Sequence, residues 1–219
     1  METAPNFRDV GGLTAKRGRE LRRGQVYRSE AVLNPNKADE TALRDAGVVL
    51  VCDLRSESER ERAPNAWWRA QGTELLEFDV LADVRGSADA WATLAAAPAL
   101  RDAMAVRHSL HGGLPEAAAT HFSVIAHRIA SGGVPLLIHC TAGKDRTGFL
   151  VAALLTLLDV REEALVADYL ANAGRDSATV REATGAIIAH HIGQPIGDDA
   201  LSGLVGVEES YLRASFPPK

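Results

Sequence analysis

The sequence predicts an α/β fold with a mainly parallel central sheet of four to five strands, flanked by helices. Short apolar runs alternate with helix-forming segments along the chain, as in sheets built from strand–helix–strand units. Two runs, "VVLVCDL" and "VPLLIHC", are continuously apolar, which is typical of parallel strands covered on both faces. A third run, "FLVAALLTLL", is apolar on nearly every side of a helix and predicts a buried, central helix.

The first half of the chain supplies most of the strands. "GQVYRSE" predicts a short strand near Val26, and "TELLEFDV" predicts another. "NKADETALRDAG" predicts a helix with Asn36 as its N-cap and Gly47 as its stop. "SESERERAP" predicts a charged helical turn that Pro64 closes.

The second half is mostly helical in prediction. Residues 84–110 favour helix but contain Pro98, which predicts two short helices. A further helix is predicted from about Pro115 to a stop at Gly132 and Gly133. After the last strand, helices are predicted at roughly 147–158, 161–172, 176–191 and 198–214.

Length and composition indicate one soluble globular domain, residues 1–219. The net charge of -5 argues against binding to nucleic acid or to an anionic membrane. The longest apolar run is about half of the ~20 residues that a membrane-spanning helix needs, so no integral membrane segment is expected.

The two cysteines argue against a disulfide scaffold and suit a reducing compartment. The first residues, "METAPNFRDV", lack the pattern of an ordinary signal peptide. We therefore predict a cytoplasmic location, with leaderless export left open as an alternative.

The stretch "LLIHCTAGKDRTGFL" places Cys140 at the carboxyl end of a predicted strand and shortly before a predicted helix. Ligands of parallel sheets bind beyond these carboxyl ends. The backbone N–H groups of the loop would form an anion-binding nest, and the helix start adds its positive dipole end. A tetrahedral oxyanion fits such a loop. The predicted phosphate-binding residues are Thr141, Ala142, Gly143, Lys144 and Thr147.

The side chains of this loop predict covalent catalysis. Arg146 can hold two phosphate oxygens in a bidentate fork. The same cationic surroundings favour the thiolate form of a cysteine, so we expect Cys140 to attack phosphorus and form a cysteinyl-phosphate that water hydrolyses. We expect the Thr147 hydroxyl to donate to the sulfur, and His139 to hydrogen-bond the loop backbone. The sequence predicts neither a metal site nor a cofactor.

The spacing of Cys140, Arg146 and Thr147 matches the Cys-x5-Arg-Ser/Thr signature of cysteine-based phosphatases. "HCTAGKDRTG" resembles the loop of the bacterial tyrosine/lipid phosphatase family. "NFRDVGG" with "VYRSE", "VCDLRSESER" and "ADYLAN" resemble further segments of that family. The resemblance implies a protein tyrosine phosphatase-like fold. It extends from about residue 6 to 172 and is weak in 80–130, where we expect a helical lid or insertion.

The resemblance implies roles that agree with this interpretation of the nucleophile and the phosphate clamp. It also implies that Lys144 is a second cation for phosphate or an anionic head group, and that Asp145 is the general acid. Two alternatives stay open for the acid. If Asp145 is not the acid, it is a surface carboxylate that pairs with Lys144. The proton then comes from Asp79 or from Asp83.

Other residues have two interpretations each. Asp53 and Arg55 either support the active loop or line the pocket, or they form a structural ion pair or cap. Arg8 and Asp9 have the same kinds of interpretation, and we slightly favour a structural role for them. Cys52 either protects the loop cysteine through a disulfide or is a small buried residue of a central strand, and we favour the second.

The sequence thus predicts a cysteine-dependent phosphomonoesterase, foremost a protein tyrosine phosphatase, with dual-specificity or phosphoinositide activity as further options. The expected partner is a phosphorylated protein or a phosphoinositide. A catalytically weak phosphate-binding module and a rhodanese-like sulfurtransferase are the alternatives. A nucleotide-binding P-loop is disfavoured because Ile138 and Asp145 stand where that motif needs glycine and serine or threonine. The sequence makes no prediction of oligomeric state.

Overall fold

The computed structural model describes residues 1–80, 88–96, 99–173 and 178–216. Within these residues five strands form one sheet: Arg8–Asp9 (β1), Val26–Ser29 (β2), Leu50–Asp53 (β3), Glu74–Glu77 (β4) and Leu136–His139 (β5). Their order in the sheet is β1-β2-β5-β3-β4. All neighbouring strands are parallel except β1 and β2. The predicted fold class, a mainly parallel sheet with flanking helices, is confirmed.

The described helices follow the alternation that the sequence predicts. They are Lys37–Asp45 (α1), Glu57–Arg62 (α2), Ala66–Ala70 (α3), Ala88–Ala96 (α4), Leu100–Ala130 (α5), Asp145–Leu157 (α6), Glu162–Leu170 (α7), Ala178–Ile192 (α8), Asp198–Val205 (α9) and Glu209–Ser215 (α10). In the described range, none of them is both long enough and apolar enough to cross a membrane.

The two apolar runs singled out in the sequence form the centre of the sheet. Every residue of β3 and β5 is buried, whereas β4, at the edge, is partly exposed. The parallel register sets Asp53 beside His139 at the carboxyl end of both strands. Polar groups of these two strands therefore meet where the loop cysteine follows.

Local capping explains α1 and α2, two of the three described helices between β2 and β4. Asn36 caps α1 by accepting a hydrogen bond from Asp39 N, and Gly47 follows the helix with a φ of 64°. In α2 the Ser56 side chain accepts from Glu59 N, and Glu59 accepts from Ser56 N, which forms a complete capping box. Both predicted helices are confirmed.

The chain forms two compact units. One contains residues 1–81 and 117–169, and the other contains residues 82–116 and 170–219. The sheet, α1, α2, α3 and α6 belong to the first unit. The predicted lid within about 80–130 stays a prediction, and in that segment the structure describes two helices, α4 and α5.

The helix predicted to begin near Pro115 is wrong in its start. α5 begins at Leu100 and continues through Pro115 to Ala130. Proline removes one backbone hydrogen bond from a helix. Leu114 and Ala118, on either side of it, are each 1% exposed, so burial outweighs this local cost. The predicted break at Pro98 lies outside the described residues.

The single helix predicted at 198–214 is also wrong. It is two helices, α9 and α10, because Gly206 is extended with φ -66° and ψ 171°. The sequence did not predict the short elements β1 and α3. α6 begins at Asp145, two residues earlier than predicted.

Candidate active site

The cysteine loop, residues 140–146, joins β5 to α6 at the carboxyl end of the sheet. Cys140 follows β5 directly and is 3% exposed. Since α6 begins at Asp145, the first N–H groups and the positive dipole end of this helix belong to the loop. The structure therefore has the strand, loop and helix order that the sequence predicts around the thiol.

Hydrogen bonds hold three successive carbonyl groups of the cysteine loop on its outer side. Ala31 N donates to the Thr141 carbonyl at 3.1 Å. Asn6 Nδ2 donates to the Ala142 carbonyl at 3.1 Å, and Arg28 Nη2 donates to the Gly143 carbonyl at 3.0 Å. A planar trans peptide directs its N–H opposite to its C=O. The N–H groups that follow are thus directed to the inner side of the loop, as an anion nest requires.

Two glycines allow the loop and α6 to approach their neighbours. Gly143 has a φ of 69°, and a Cβ there would lie 2.5 Å from the carbonyl oxygen of Ser29 and from Glu30 N. A Cβ on Gly148 would lie 2.7 Å from the ring of Tyr169. A larger residue at either place would move the cysteine loop or the first turns of α6.

A buried ion-pair network supports the loop from the side of β1 and β2. Arg28 is fully buried, and besides its bond to the loop it donates Nη1 to Asp168 Oδ2 at 2.5 Å. Arg8 donates Nε to Asp168 Oδ1 at 3.0 Å and Nη2 to the Asp168 carbonyl at 2.7 Å. These bonds favour the structural interpretation of Arg8, the one preferred from sequence. Three segments far apart in sequence meet under the loop through this network.

Arg146 is held by a carboxylate. Its Nη1 donates to Glu59 Oε2 at 2.7 Å and its Nη2 to Glu59 Oε1 at 3.0 Å, a bidentate pair. Nη1 also lies 3.3 Å from the Leu54 carbonyl. Because both side chains are buried, the plane of the guanidinium is determined before any phosphate arrives. The arginine that the sequence predicts as a phosphate clamp is thus held in one orientation by Glu59.

Glu59 is ionised in this position. Burial by itself raises the pKa of a carboxyl, but hydrogen bonds and charge from Arg146, with further bonds from Thr141 and Ser56, hold the pKa of Glu59 well below its usual range. Glu59 thus joins the capping box of α2 to both ends of the cysteine loop.

His139 is fully buried below the thiol, and its Nδ1 lies 3.1 Å from the Cys140 carbonyl. Burial lowers the pKa of His139, so the ring is neutral at pH 7 and Nδ1 donates this bond. The structure thus has the bond to loop backbone that the sequence predicts for His139. Asp53 Oδ1 lies 3.8 Å from the same nitrogen.

Asp53 and Arg55 form a buried ion pair, which is one of the interpretations given for them, and their support of the active loop stays a prediction. Arg55 Nη2 donates to Asp53 Oδ2 at 2.7 Å, and Asn65 Nδ2 donates to the same oxygen at 2.7 Å. Burial acts to raise the pKa of Asp53, whereas the neighbouring His139 and the hydrogen bonds and charge of Arg55 hold it below its usual range. Between them, Leu54 donates its N–H to the His139 carbonyl at 2.9 Å.

The candidate acids differ in their surroundings. Asp145 is half-buried and is the first residue of α6, next to buried Lys144. Asp79 is exposed and accepts the N–H of Glu57 at 3.1 Å, at the start of α2. Asp83 lies outside the described residues. Asp145 thus belongs to the cysteine loop itself, whereas Asp79 has a capping role.

Thr147 departs from its expected contact, whereas Cys52 fits the interpretation favoured from sequence. Thr147 Oγ1 is buried and makes no hydrogen bond to the described part of the chain, so the expected bond to the Cys140 sulfur is not formed in this structure. Cys52 is fully buried in β3, and burial raises its thiol pKa to about 12. A protonated, buried thiol favours the core role of Cys52. Among the described residues, no three His, Cys, Asp or Glu side chains come together as metal ligands.

Sequence reasoning missed Glu59, Arg28 and Asp168 as parts of the site. Some signal was present for each. Glu59 completes a Ser-x-x-Glu capping box, and the other two lie in "VYRSE" and "ADYLAN", segments that carried the family resemblance. Pairing between them was not visible, because Arg28 and Asp168 are 140 positions apart in the chain.

The fold and the site together define a cysteine-based phosphatase, with a thiol at the carboxyl end of a parallel sheet, an anion nest and a preoriented arginine. The model of the Tyrosine phosphatase family matches residues 1–217. The chain belongs to this family and is a phosphoric monoester hydrolase. The family match favours the hydrolase over the phosphate-binding module and the sulfurtransferase.

Two named relatives cover nearly the whole chain. A Cupriavidus necator protein, named as a tyrosine-protein phosphatase, is 33% identical over 221 residues, which are 99% of this chain and 76% of the relative. The triple specificity protein phosphatase PtpB of Mycobacterium tuberculosis is 28% identical, covering 96% of this chain and 84% of its own length. The crystal structure of P. aeruginosa TpbA aligns with a TM-score of 0.37 at 16% identity, covering 85% of this chain and 90% of TpbA.

Proposed function

We propose that this phosphatase acts through a cysteinyl-phosphate intermediate on Cys140, with phosphotyrosine in proteins as its leading substrate class. The observation that carries the proposal is the cysteine loop, where outward-bonded carbonyls leave the N–H groups directed inward above a buried thiol. A dianionic phosphate in this nest would place its phosphorus within reach of the sulfur. Preoriented donors of this kind stabilise charge that develops in the transition state.

The reaction has two steps. In the first, the Cys140 thiolate attacks phosphorus, the S–P bond forms, the P–O ester bond breaks, and Asp145 gives its proton to the leaving oxygen. In the second, water attacks phosphorus, Asp145 takes the proton of that water, and the S–P bond breaks to release inorganic phosphate. Arg146 and the loop N–H groups hold the transferring oxygens in both steps.

Phosphoserine, phosphothreonine and phosphoinositides are further substrate candidates. Lys144, beside Arg146 in the same loop, offers a second cation to a substrate of higher negative charge. The name of the Mycobacterium tuberculosis relative, a triple specificity protein phosphatase, also supports breadth beyond phosphotyrosine. The two free cysteines support a reducing, cytoplasmic location.

The test is acid quenching during turnover of p-nitrophenyl phosphate with excess chelator, followed by mass spectrometry of the Cys140 peptide. We expect phosphate on this peptide and a burst of nitrophenol before the steady state. A phosphate-release panel of phosphopeptides and phosphoinositides then ranks the substrates. Loss of activity on chelation, restored by a divalent ion, would contradict the metal-free mechanism. Better turnover of a phosphoinositide than of every phosphotyrosine peptide would overturn the leading substrate class.

A further inference from the structure

A cavity of about 430 Å³ lies at the amino ends of β2 and β5, the opposite end of the sheet from the cysteine loop. Its volume falls within the range of ~300–1,000 Å³ that is typical of small-ligand sites. Most of the wall is aliphatic. The aliphatic residues of this wall include Val10, Val26, Ile129, Leu154, Leu155 and Leu158.

The rim of the cavity is polar, and two of its four polar residues are arginines. Arg19 and Arg22 line it from an exposed hairpin, together with Glu20 and Gln25. Arg19 lies 3.6 Å from exposed Asp159, and Arg22 makes no ion pair with any described residue. An apolar interior with arginines at its opening has the polarity of a site for an amphiphile.

The charge of this hairpin is opposite to that of the chain. Residues 16–23 contain five basic residues and one acidic residue, a net charge of +4 in a protein of net charge -5. Arginine is the side chain best suited to binding a carboxylate in two-point geometry. The local field therefore favours an anionic head group at the rim.

We propose that this cavity binds a free, single-chain alkyl carboxylate, with the chain among the aliphatic side chains and the carboxylate on Arg22 and Arg19. The site is separate from the catalytic one, because Cys140 follows the carboxyl end of β5 whereas the cavity lies before its amino end. α6 links the two: it begins in the cysteine loop, and Leu154 and Leu155 near its other end line the cavity.

A bilayer surface is the competing occupant. Leu157 and Leu158 are 62% and 41% exposed beside the basic hairpin, which would suit a membrane. Two observations favour a single chain. The apolar groups of the site line a concave cavity, and a bilayer contact at this end would leave the cysteine loop at the far end of the sheet.

The first experiment is calorimetric titration of the whole protein with carboxylates of 6 to 14 carbons, each kept below its micelle concentration. We expect saturable one-to-one binding that strengthens about fourfold per added CH₂, as for burial of a methylene, until the cavity is full. Decanol, the uncharged match of decanoate, should bind at least about tenfold more weakly because it lacks the charge-assisted bond. Absence of saturable decanoate binding would overturn the proposal.

Matched variants separate the site from general electrostatics. Arg22→Glu and Arg17→Glu change the net charge equally, but Arg17 does not line the cavity. We expect about a tenfold or greater loss of decanoate affinity for Arg22→Glu and less than about twofold for Arg17→Glu. Ile129→Trp should fill the cavity and abolish binding while p-nitrophenyl phosphate is still hydrolysed, which shows a folded protein. Equal losses in the two charge reversals, or binding to anionic vesicles without binding to monomeric decanoate, would refute the site.

Discussion

The two ends of the central sheet have opposite chemistry although the same strands and the same helix form both. At the carboxyl end, buried ions and backbone groups bond to each other: Glu59 with Arg146, Asp168 with Arg28, and His139 with the Cys140 carbonyl. At the amino end, aliphatic side chains surround a cavity, and exposed arginines stand at its rim.

The difference follows from chain direction. All the parallel strands end on one side, and α6 begins there with unpaired N–H groups and its positive dipole end. These groups stabilise negative charge at that end of the sheet, both on a bound anion and on the carboxylate that orients Arg146. The last turns of α6 lie at the other end, where apolar packing supplies the stability. Substitutions at the carboxyl end should therefore affect catalysis first.

The largest effect is expected for Cys140→Ser. The serine hydroxyl does not ionise at neutral pH, so turnover should fall by about 10⁴-fold or more. The nest and Arg146 remain, so binding of tungstate, a phosphate analogue, should persist in calorimetric titration. Measurable steady-state turnover near the wild-type rate would contradict the covalent route.

Asp145→Asn should have the next largest effect, and its size should depend on the substrate. General-acid help is worth ~10²–10⁴-fold when the leaving oxygen is basic and little when it is not. The measurement is kcat over aryl phosphates whose phenols span a range of pKa. Asp79→Asn is the control. If the leaving-group dependence of kcat becomes steeper in Asp79→Asn but keeps the wild-type slope in Asp145→Asn, the acid is Asp79.

Glu59→Gln should lower kcat/KM by about 10²-fold, because a guanidinium without its bidentate partner loses its orientation toward phosphate. Glutamine keeps the shape of the side chain, whereas truncation of one member of a buried ion pair costs ~3–5 kcal/mol of stability. The loss should appear in both kcat and the inhibition constant of inorganic phosphate. An unchanged phosphate constant would limit Glu59 to the capping of α2.

A smaller loss of about tenfold in kcat/KM is expected for Arg28→Lys. Lysine cannot bond the Gly143 carbonyl and Asp168 in the same planar geometry. Arg8→Lys is the matched control, since Arg8 bonds Asp168 and not the cysteine loop directly. The two variants should unfold at similar temperatures while only Arg28→Lys raises the phosphate inhibition constant. Equal kinetic losses would mean that the network acts on stability alone.

The smallest effect is a dependence of stability on acid. The pKa of Glu59 is held well below the value of about 4.3 for an unfolded chain, so the unfolded state binds the proton first as pH falls. The stabilisation contributed by ionised Glu59 is complete above the unfolded pKa. It is lost progressively as the pH falls from there toward the folded pKa. The melting temperature of the wild type should therefore decline below about pH 5, and the decline should be shallower in Glu59→Gln. Parallel curves for the two proteins would contradict this assignment.

Much of the first unit was predictable because its signals are local. Continuous apolar runs predicted β3 and β5, and Asn36 and Gly47 predicted the ends of α1. The residue pattern around Cys140 predicted a loop that holds this thiol and Arg146 between a strand and a helix. The errors lie where local signals conflict with packing. Pro115 indicated a helix start, yet buried Leu114 and Ala118 keep that segment helical.

The sequence by itself determined the class of the fold, the order of strand, cysteine loop and helix, and the chemical groups of the loop, because each depends on neighbours within a few positions. Only the tertiary structure decided that Glu59 orients Arg146 and that Arg28 and Asp168 hold the loop. The physical reason is that a buried charge needs a partner, and the partner is chosen by proximity in space. Residues 87 and 140 positions apart meet in these two pairs, a distance along the chain at which no local pattern carries information.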